Sequence, residues 1–118
     1  MPIRSKSSMT TETGVQVLRA DMVIHPGEVL REDFMLPHKL SANRLAAAMG
    51  VPTNRITAIV NGTRGISGET ALLLGKVFGN TPSFWMHLQI RYELDLAVAQ
   101  TARERLDAAE AFGRTLIA

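Results

Sequence analysis

The chain contains no cysteine, which excludes disulfide bonds and thiolate metal sites. It also has no apolar run near the roughly 18 residues that a transmembrane helix requires. Arg4 and Lys6 are not followed by the apolar segment of a secretory signal peptide. We therefore expect a cytoplasmic protein that does not associate with a membrane.

Residues that could support catalysis are few and scattered. His25, His38 and His87 lack the spacing of metal ligands, and Ser67 lacks the surroundings of a nucleophile elbow. We interpret the histidines as surface or capping residues. The sequence predicts no enzyme, no metal site and no cofactor.

The charge is distributed unevenly along these 118 residues, although the net charge is only +2. Residues 36–80 carry five basic side chains and a single carboxylate, which gives that stretch a net charge of +4. A basic stretch of this kind is typical of a surface that contacts phosphates. Chance clustering on a solvated surface is the alternative.

Residues 45–62 have the pattern of two short helices joined by a tight turn. Leu45 and Met49 share one helical face, and Gly50 allows a turn with positive φ. Ile56 and Ile59 then supply the buried face of a second helix, which ends at Asn61-Gly62. The spacing predicts a helix-turn-helix at about 41–62, and two packed helices of a small bundle are the alternative.

Other local signals divide the chain into an arm, a domain and a tail. We predict a flexible arm over residues 1–22, in which 15–18 could instead pair as a short strand. Pro26 suits the start of a first helix that Pro37 ends. Capping residues predict three further helix starts, at Ser41, Ser67 and Thr81. The core-facing residues predicted for the helix after Ser67 are Ala71, Leu72, Leu74 and Phe78.

A long helix is expected near the end of the chain, because no glycine or proline interrupts residues 83–112. One apolar stripe on it should close the core; it consists of Trp85, Leu88, Tyr92 and Leu96. A second stripe exceeds what a small domain needs and predicts a homodimer interface, formed by Met86, Ile90, Leu94 and Val98. A single wide buried face is the alternative.

Several segments together resemble the HigA (VapI-like) antitoxins of the XRE, or Cro/phage-repressor, class of helix-turn-helix proteins. The resemblance covers roughly residues 22–97 and rests on the segments at 24–32, 45–46, 61–67, 70–72 and 78–89, of which 24–32 and 78–89 are the most specific. It implies an all-α fold with a five-helix, lambda-repressor-like domain at 23–99. The predicted arm at 1–22 and a helical tail at 100–118 lie outside this common core, so the resemblance assigns them no role. It further implies a dimer on an inverted-repeat operator in double-stranded DNA and neutralisation of a HigB-type, mRNA-cleaving toxin.

The expected function is therefore that of a repressor that is also a type II antitoxin and regulates its own operon. The residues predicted to read bases are Thr53, Asn54, Thr57 and Ala58. Those predicted to hold phosphates are Ser41, Arg44, Arg55, Asn61 and Arg64. Two alternatives stay open: a repressor without a toxin, and a protein-interaction module that does not contact DNA.

One position departs from the pattern of the family. Pro52 stands where a serine N-cap of the second helix of the motif is expected, so capping must come from Thr53 or elsewhere.

Candidate toxin-binding surfaces are the arm, the C-terminal helix and an acidic first helix, whose carboxylates are Glu28, Glu32 and Asp33.

Overall fold

The computed structural model describes residues 9–10, 16–17 and 23–117. Strands β1 (Met9–Thr10) and β2 (Gln16–Val17) form an antiparallel pair. The helices are α1 (Pro26–Val29), continued by a π-helical segment (Leu30–Met35), α2 (Ala42–Met49), α3 (Thr53–Val60), α4 (Gly68–Phe78), α5 (Pro82–Gln100) and α6 (Arg103–Ile117). The all-α fold class is thus confirmed, with one minimal strand pair in the segment predicted as an arm. The rest of residues 1–22 lies outside the described residues.

The chain divides into two compact units. One is Ile24–Glu93, and the other combines Met1–Val23 with Leu94–Ala118. The first unit contains α1 to α4 and most of α5, and it holds the helix-turn-helix. The domain limits predicted at residues 22 and 99 stay a prediction.

Three predicted helix starts are capped by the expected hydroxyls. The side chain of Ser41 accepts from the N–H of Arg44 at 3.1 Å, and that of Ser67 accepts from the N–H of Thr70 at 3.3 Å. Thr81 accepts from the N–H of Phe84 at 3.2 Å. Each cap satisfies a backbone donor that the first turn of a helix leaves without a partner.

The core of the Ile24–Glu93 unit is built around Trp85, which is fully buried. Its indole N–H donates to Asn80 Oδ1 at 2.8 Å, and its ring centroid lies 4.9 Å from that of Phe34. Trp85 belongs to one buried cluster with aliphatic side chains, which include Leu30, Leu45, Met49, Ile56, Ile59, Ile66 and Leu74.

The prediction that Leu72 of α4 faces the core is wrong. Leu72 is 57% exposed, whereas Ala71 and Leu74 are buried and Phe78 packs against the core. The buried face of α4 also includes Thr70 and is therefore centred well away from Leu72, since successive helical residues are rotated by about 100°.

The first helix widens before Pro37. Leu36 N–H donates to the carbonyl of Arg31 at 2.9 Å, a bond that spans five residues and is characteristic of a π-helix. A proline lacks the N–H for an α-helical bond, and its ring clashes with the carbonyl four residues before it. Pro37 therefore accounts for the predicted end of the helix. It also accounts for the wider turn, which no signal in the sequence predicted.

The prediction of one continuous helix over residues 83–112 is also wrong, because Thr101 and Ala102 separate α5 from α6. Thr101 is β-branched and a weaker helix former than its alanine neighbours, so it is a natural position for the break. Helix α6 has no buried residue, and its exposed apolar side chains include Leu106, Phe112 and Leu116.

The start of α1 lies directly against the end of α3. A Cβ at Gly27 would overlap the carbonyl oxygen of Ile59 and lie 3.0 Å from the Cα of Val60. His25 caps α1, since its Nδ1 accepts from the N–H of Gly27 at 2.8 Å. This confirms a capping histidine, and partial burial lowers the pKa of His25, which favours the neutral form that can accept this bond.

We expect Gly27→Ala to destabilise the protein by about 1–3 kcal/mol or more, because the added methyl group meets backbone that cannot rotate away. Denaturant unfolding followed by circular dichroism measures the change. Gly68→Ala is the matched control, since a Cβ at that helical position meets no atom within 4 Å. Equal stability of the two variants would contradict the close contact.

Candidate nucleic-acid interface

Helices α2 and α3 form the predicted helix-turn-helix. Gly50 adopts the left-handed conformation with φ of 70°, and the N–H of Val51 donates to the carbonyl of Ala46 at 3.0 Å. Ala46 is almost fully buried, as expected of a small residue where two helices cross closely. Ile56 and Ile59 anchor α3 in the core, so its opposite face is directed outward.

The outward face of α3 presents the residues predicted to read bases. Asn54 and Thr57 are exposed, whereas Thr53 and Ala58 are half-buried. The Thr57 hydroxyl donates to the backbone carbonyl of Asn54 at 3.3 Å, and both side chains are exposed. This part of the helix can therefore offer both hydrogen bonds and an apolar contact.

The first residue of α3 is fixed by α2. The Thr53 hydroxyl donates to Asn43 Oδ1 at 2.8 Å. Pro52 is the N-cap of α3 and makes no side-chain capping bond, so the capping by Thr53 that the sequence left open does not occur. Thr53 instead fixes the spacing between the two helices of the motif. Asn43 was missed in the sequence, because nothing there distinguishes it from any polar surface residue.

The five residues predicted to hold phosphates differ in their surroundings. Arg44, Asn61 and Arg64 are exposed, and the Ser41 hydroxyl is engaged as a cap. Arg55 is held by α4, since its Nη1 donates to Glu69 Oε1 at 2.9 Å. The Arg55 side chain is only 21% exposed. Glu69 was missed too, although it is the one carboxylate in the basic stretch 36–80.

The second apolar stripe of α5 is exposed along most of its length. Ile90 is 49%, Leu94 60% and Val98 54% exposed. Met86 differs, because it is half-buried and packs against the core of its own unit. Three of the four predicted interface residues are therefore accessible side chains.

Within residues 23–117, no group of three or more histidine or acidic side chains could hold a metal ion. No helix in the described part of the chain is long and apolar enough to cross a membrane.

The fold and the outward face of α3 define a helix-turn-helix protein, and a sequence profile described as "Helix-turn-helix" matches residues 31–85. Virulence-associated protein I of Dichelobacter nodosus is 46% identical over 74 residues, which cover 63% of this chain and 68% of that protein. An addiction module antidote protein of the HigA family from Coxiella burnetii is 48% identical, with a TM-score of 0.66 over 70% of this chain and 89% of the other. The chain belongs to this HigA family of antidote proteins.

A related structure was determined with DNA. The antitoxin HigA of Pseudomonas aeruginosa, solved with the higBA promoter, is 35% identical and has a TM-score of 0.60 over 80% of this chain and 90% of its own. None of these three relatives is named as an enzyme.

Proposed function

We propose that the protein is a cytoplasmic, homodimeric DNA-binding repressor, the antitoxin of a type II toxin–antitoxin system, and that it represses its own operon. The observation that carries the proposal is the α2–α3 pair, which directs a face of small polar residues outward. No carboxylate lies on that outward face of α3, within the basic stretch 36–80. A related antitoxin was solved with its promoter, which supports operator DNA as the ligand.

In this function, α3 is the recognition helix and enters the major groove with its N-terminal end. Asn54 is suited to a bidentate pair with adenine, and the methyl groups of Thr57 and Ala58 to contacts with thymine. Thr53 lies at the same end of the helix. Arg44, Asn61 and Arg64 would hold phosphates, together with the Ser41 end of α2, and Arg55 would do so when released from Glu69.

The toxin partner is proposed to be of the HigB type, because relatives of this chain are antitoxins and addiction-module antidotes. An orphan repressor of the same family would have no such partner. Co-expression with a neighbouring toxin gene, followed by co-purification and growth rescue, separates the two. A gel shift on the protein's own promoter tests DNA binding against a protein-interaction module.

Asn54 and Arg64 should have different roles on the operator. We expect Asn54→Ala to cost about 1–3 kcal/mol of operator affinity and to relax the preference at one base pair of each half-site. Arg64→Ala should weaken binding to every sequence and make the salt dependence of log K shallower by about 0.9. Binding titrations on a set of single-base operator variants, at several salt concentrations, measure both effects.

The two assignments are reversed if Arg64→Ala changes the preferred bases while Asn54→Ala leaves them unchanged. Arg31→Ala is a suitable control, because it removes an exposed arginine from the first helix and leaves the helix-turn-helix intact.

The ion pair between Arg55 and Glu69 predicts a third effect on DNA binding. We expect Glu69→Gln to tighten operator binding and steepen its salt dependence, because the guanidinium of Arg55 is then available to a phosphate. Glu32→Gln removes the same charge from the first helix and serves as the control. Identical salt slopes for both variants would show that Arg55 joins α3 to α4 and does not bind phosphate.

Dimerisation through α5 gives a further prediction. A double substitution, Ile90→Glu with Leu94→Glu, should dissociate the dimer, because it places charge on an apolar surface that a second copy would bury. Light scattering at micromolar concentration measures the mass. A dimer in wild type and double variant alike would place the interface elsewhere, and a monomeric wild type would contradict the homodimer. A dimer would bind half-sites ~34–36 Å apart.

A further inference from the structure

Gln89 is a buried amide on the inner side of α5. It is 8% exposed, and within residues 23–117 the buried polar side chains are Thr70 and Gln89. Burying an amide in a core is unfavourable unless its hydrogen bonds are replaced. The bonds that Gln89 makes therefore indicate why glutamine stands at a position that faces the core.

The amide of Gln89 bonds in two directions. Its Oε1 accepts from the backbone N–H of Ile66 at 2.7 Å, and its Nε2 donates to Glu93 Oε2 at 2.8 Å. Residues 62–66 form the loop that follows α3, called the 62–66 loop below. This loop lies against the Gln89 amide, since a Cβ at Gly65 would lie 2.8 Å from both the oxygen and the nitrogen of the amide. The second half of the loop is thus fastened to α5.

The first half of the same loop is fastened to α3. The carbonyl of Ala58 accepts from the N–H groups of Thr63 at 2.9 Å and Arg64 at 3.2 Å. The hydroxyl of Thr63 donates to the same carbonyl at 3.2 Å. Arg64 therefore lies between two attachment points, one on the outward-facing helix and one on Gln89.

We infer that Gln89 is a positioning residue for DNA binding: it holds the 62–66 loop so that Arg64 meets a phosphate while α3 occupies the groove. This inference rests on the proposed DNA-binding function. Gln89 itself does not touch DNA; it acts through the backbone of Ile66 and Gly65. Glu93 orients the amide, because it accepts from Nε2 and leaves Oε1 for the loop.

Five full-length variants test the inference, the fifth being Gln89→Leu combined with Arg64→Ala. Gln89→Leu removes both bonds without changing the net charge. Gln89→Glu keeps an acceptor for Ile66 but places it beside the carboxylate of Glu93. Combining Gln89→Glu with Glu93→Gln exchanges donor and acceptor, restores both bonds and returns the net charge to that of the wild type. Arg64→Ala provides the reference for loss of the phosphate contact.

Two measurements are made on each variant: the amide exchange rate of Ile66, and the slope of log K for the operator against log salt concentration. For Gln89→Leu we expect about tenfold faster exchange at Ile66 and a slope shallower by about 0.9, as for Arg64→Ala. Adding Arg64→Ala to Gln89→Leu should reduce the slope no further. The exchanged pair should restore both values, whereas Gln89→Glu alone should not.

A wild-type slope in Gln89→Leu, with a shallower slope in Arg64→Ala, overturns the inference. So does an exchanged pair that restores Ile66 protection but not the slope. If Gln89→Leu does not fold, Gly65→Ala displaces the amide from the loop side and must give the shallower slope. If the wild type does not bind the operator, the proposed function fails, while exchange at Ile66 still decides whether Gln89 holds the loop.

Discussion

The contact between Gly27 and the backbone of Ile59 fixes the position of α3 in the first unit. Side chains normally separate two helices, but here the start of α1 lies directly against the carbonyl of Ile59, near the end of α3. The partial positive charge at the N-terminus of α1 then faces the partial negative charge at the C-terminus of α3. The His25 ring, which caps α1, lies edge-on to Tyr92 of α5 with ring centroids 4.7 Å apart. At the far end of α3, Asn54 is exposed and Thr53 is half-buried.

Local signals predicted the elements well because their causes are local. A cap at Ser41, Ser67 or Thr81 requires only a hydroxyl and the backbone N–H three residues later. The turn at Gly50 requires only a residue that adopts a positive φ. The errors arose where the tertiary structure decides. Leu72 is apolar and lies beside buried residues, yet its helix is rotated so that it is exposed. The break at Thr101 follows no glycine or proline, so composition alone could not place it.

The exposed face of α3 could be predicted from the sequence, but the bonds that connect α3 to other helices could not. The helical period placed Asn54 and Thr57 on the face opposite Ile56, and the structure has them exposed. The partners Asn43 and Glu69 lie ten and fourteen residues from the side chains that they hold. Gln89 is separated by 23 residues from Ile66. Nothing in a single sequence links positions so far apart, since their bonds exist only once the helices have packed.

The position of the single tryptophan determines what optical spectroscopy can report about this molecule. Trp85 is shielded from water and surrounded by the rings of Phe34, Phe78 and Phe84. Its fluorescence is therefore an intrinsic signal for opening of the core in which it is buried. Helix α6 contains no tryptophan and has no buried residue, so this emission carries no direct signal from α6. Far-ultraviolet circular dichroism, in contrast, reports on all the helices, α6 included.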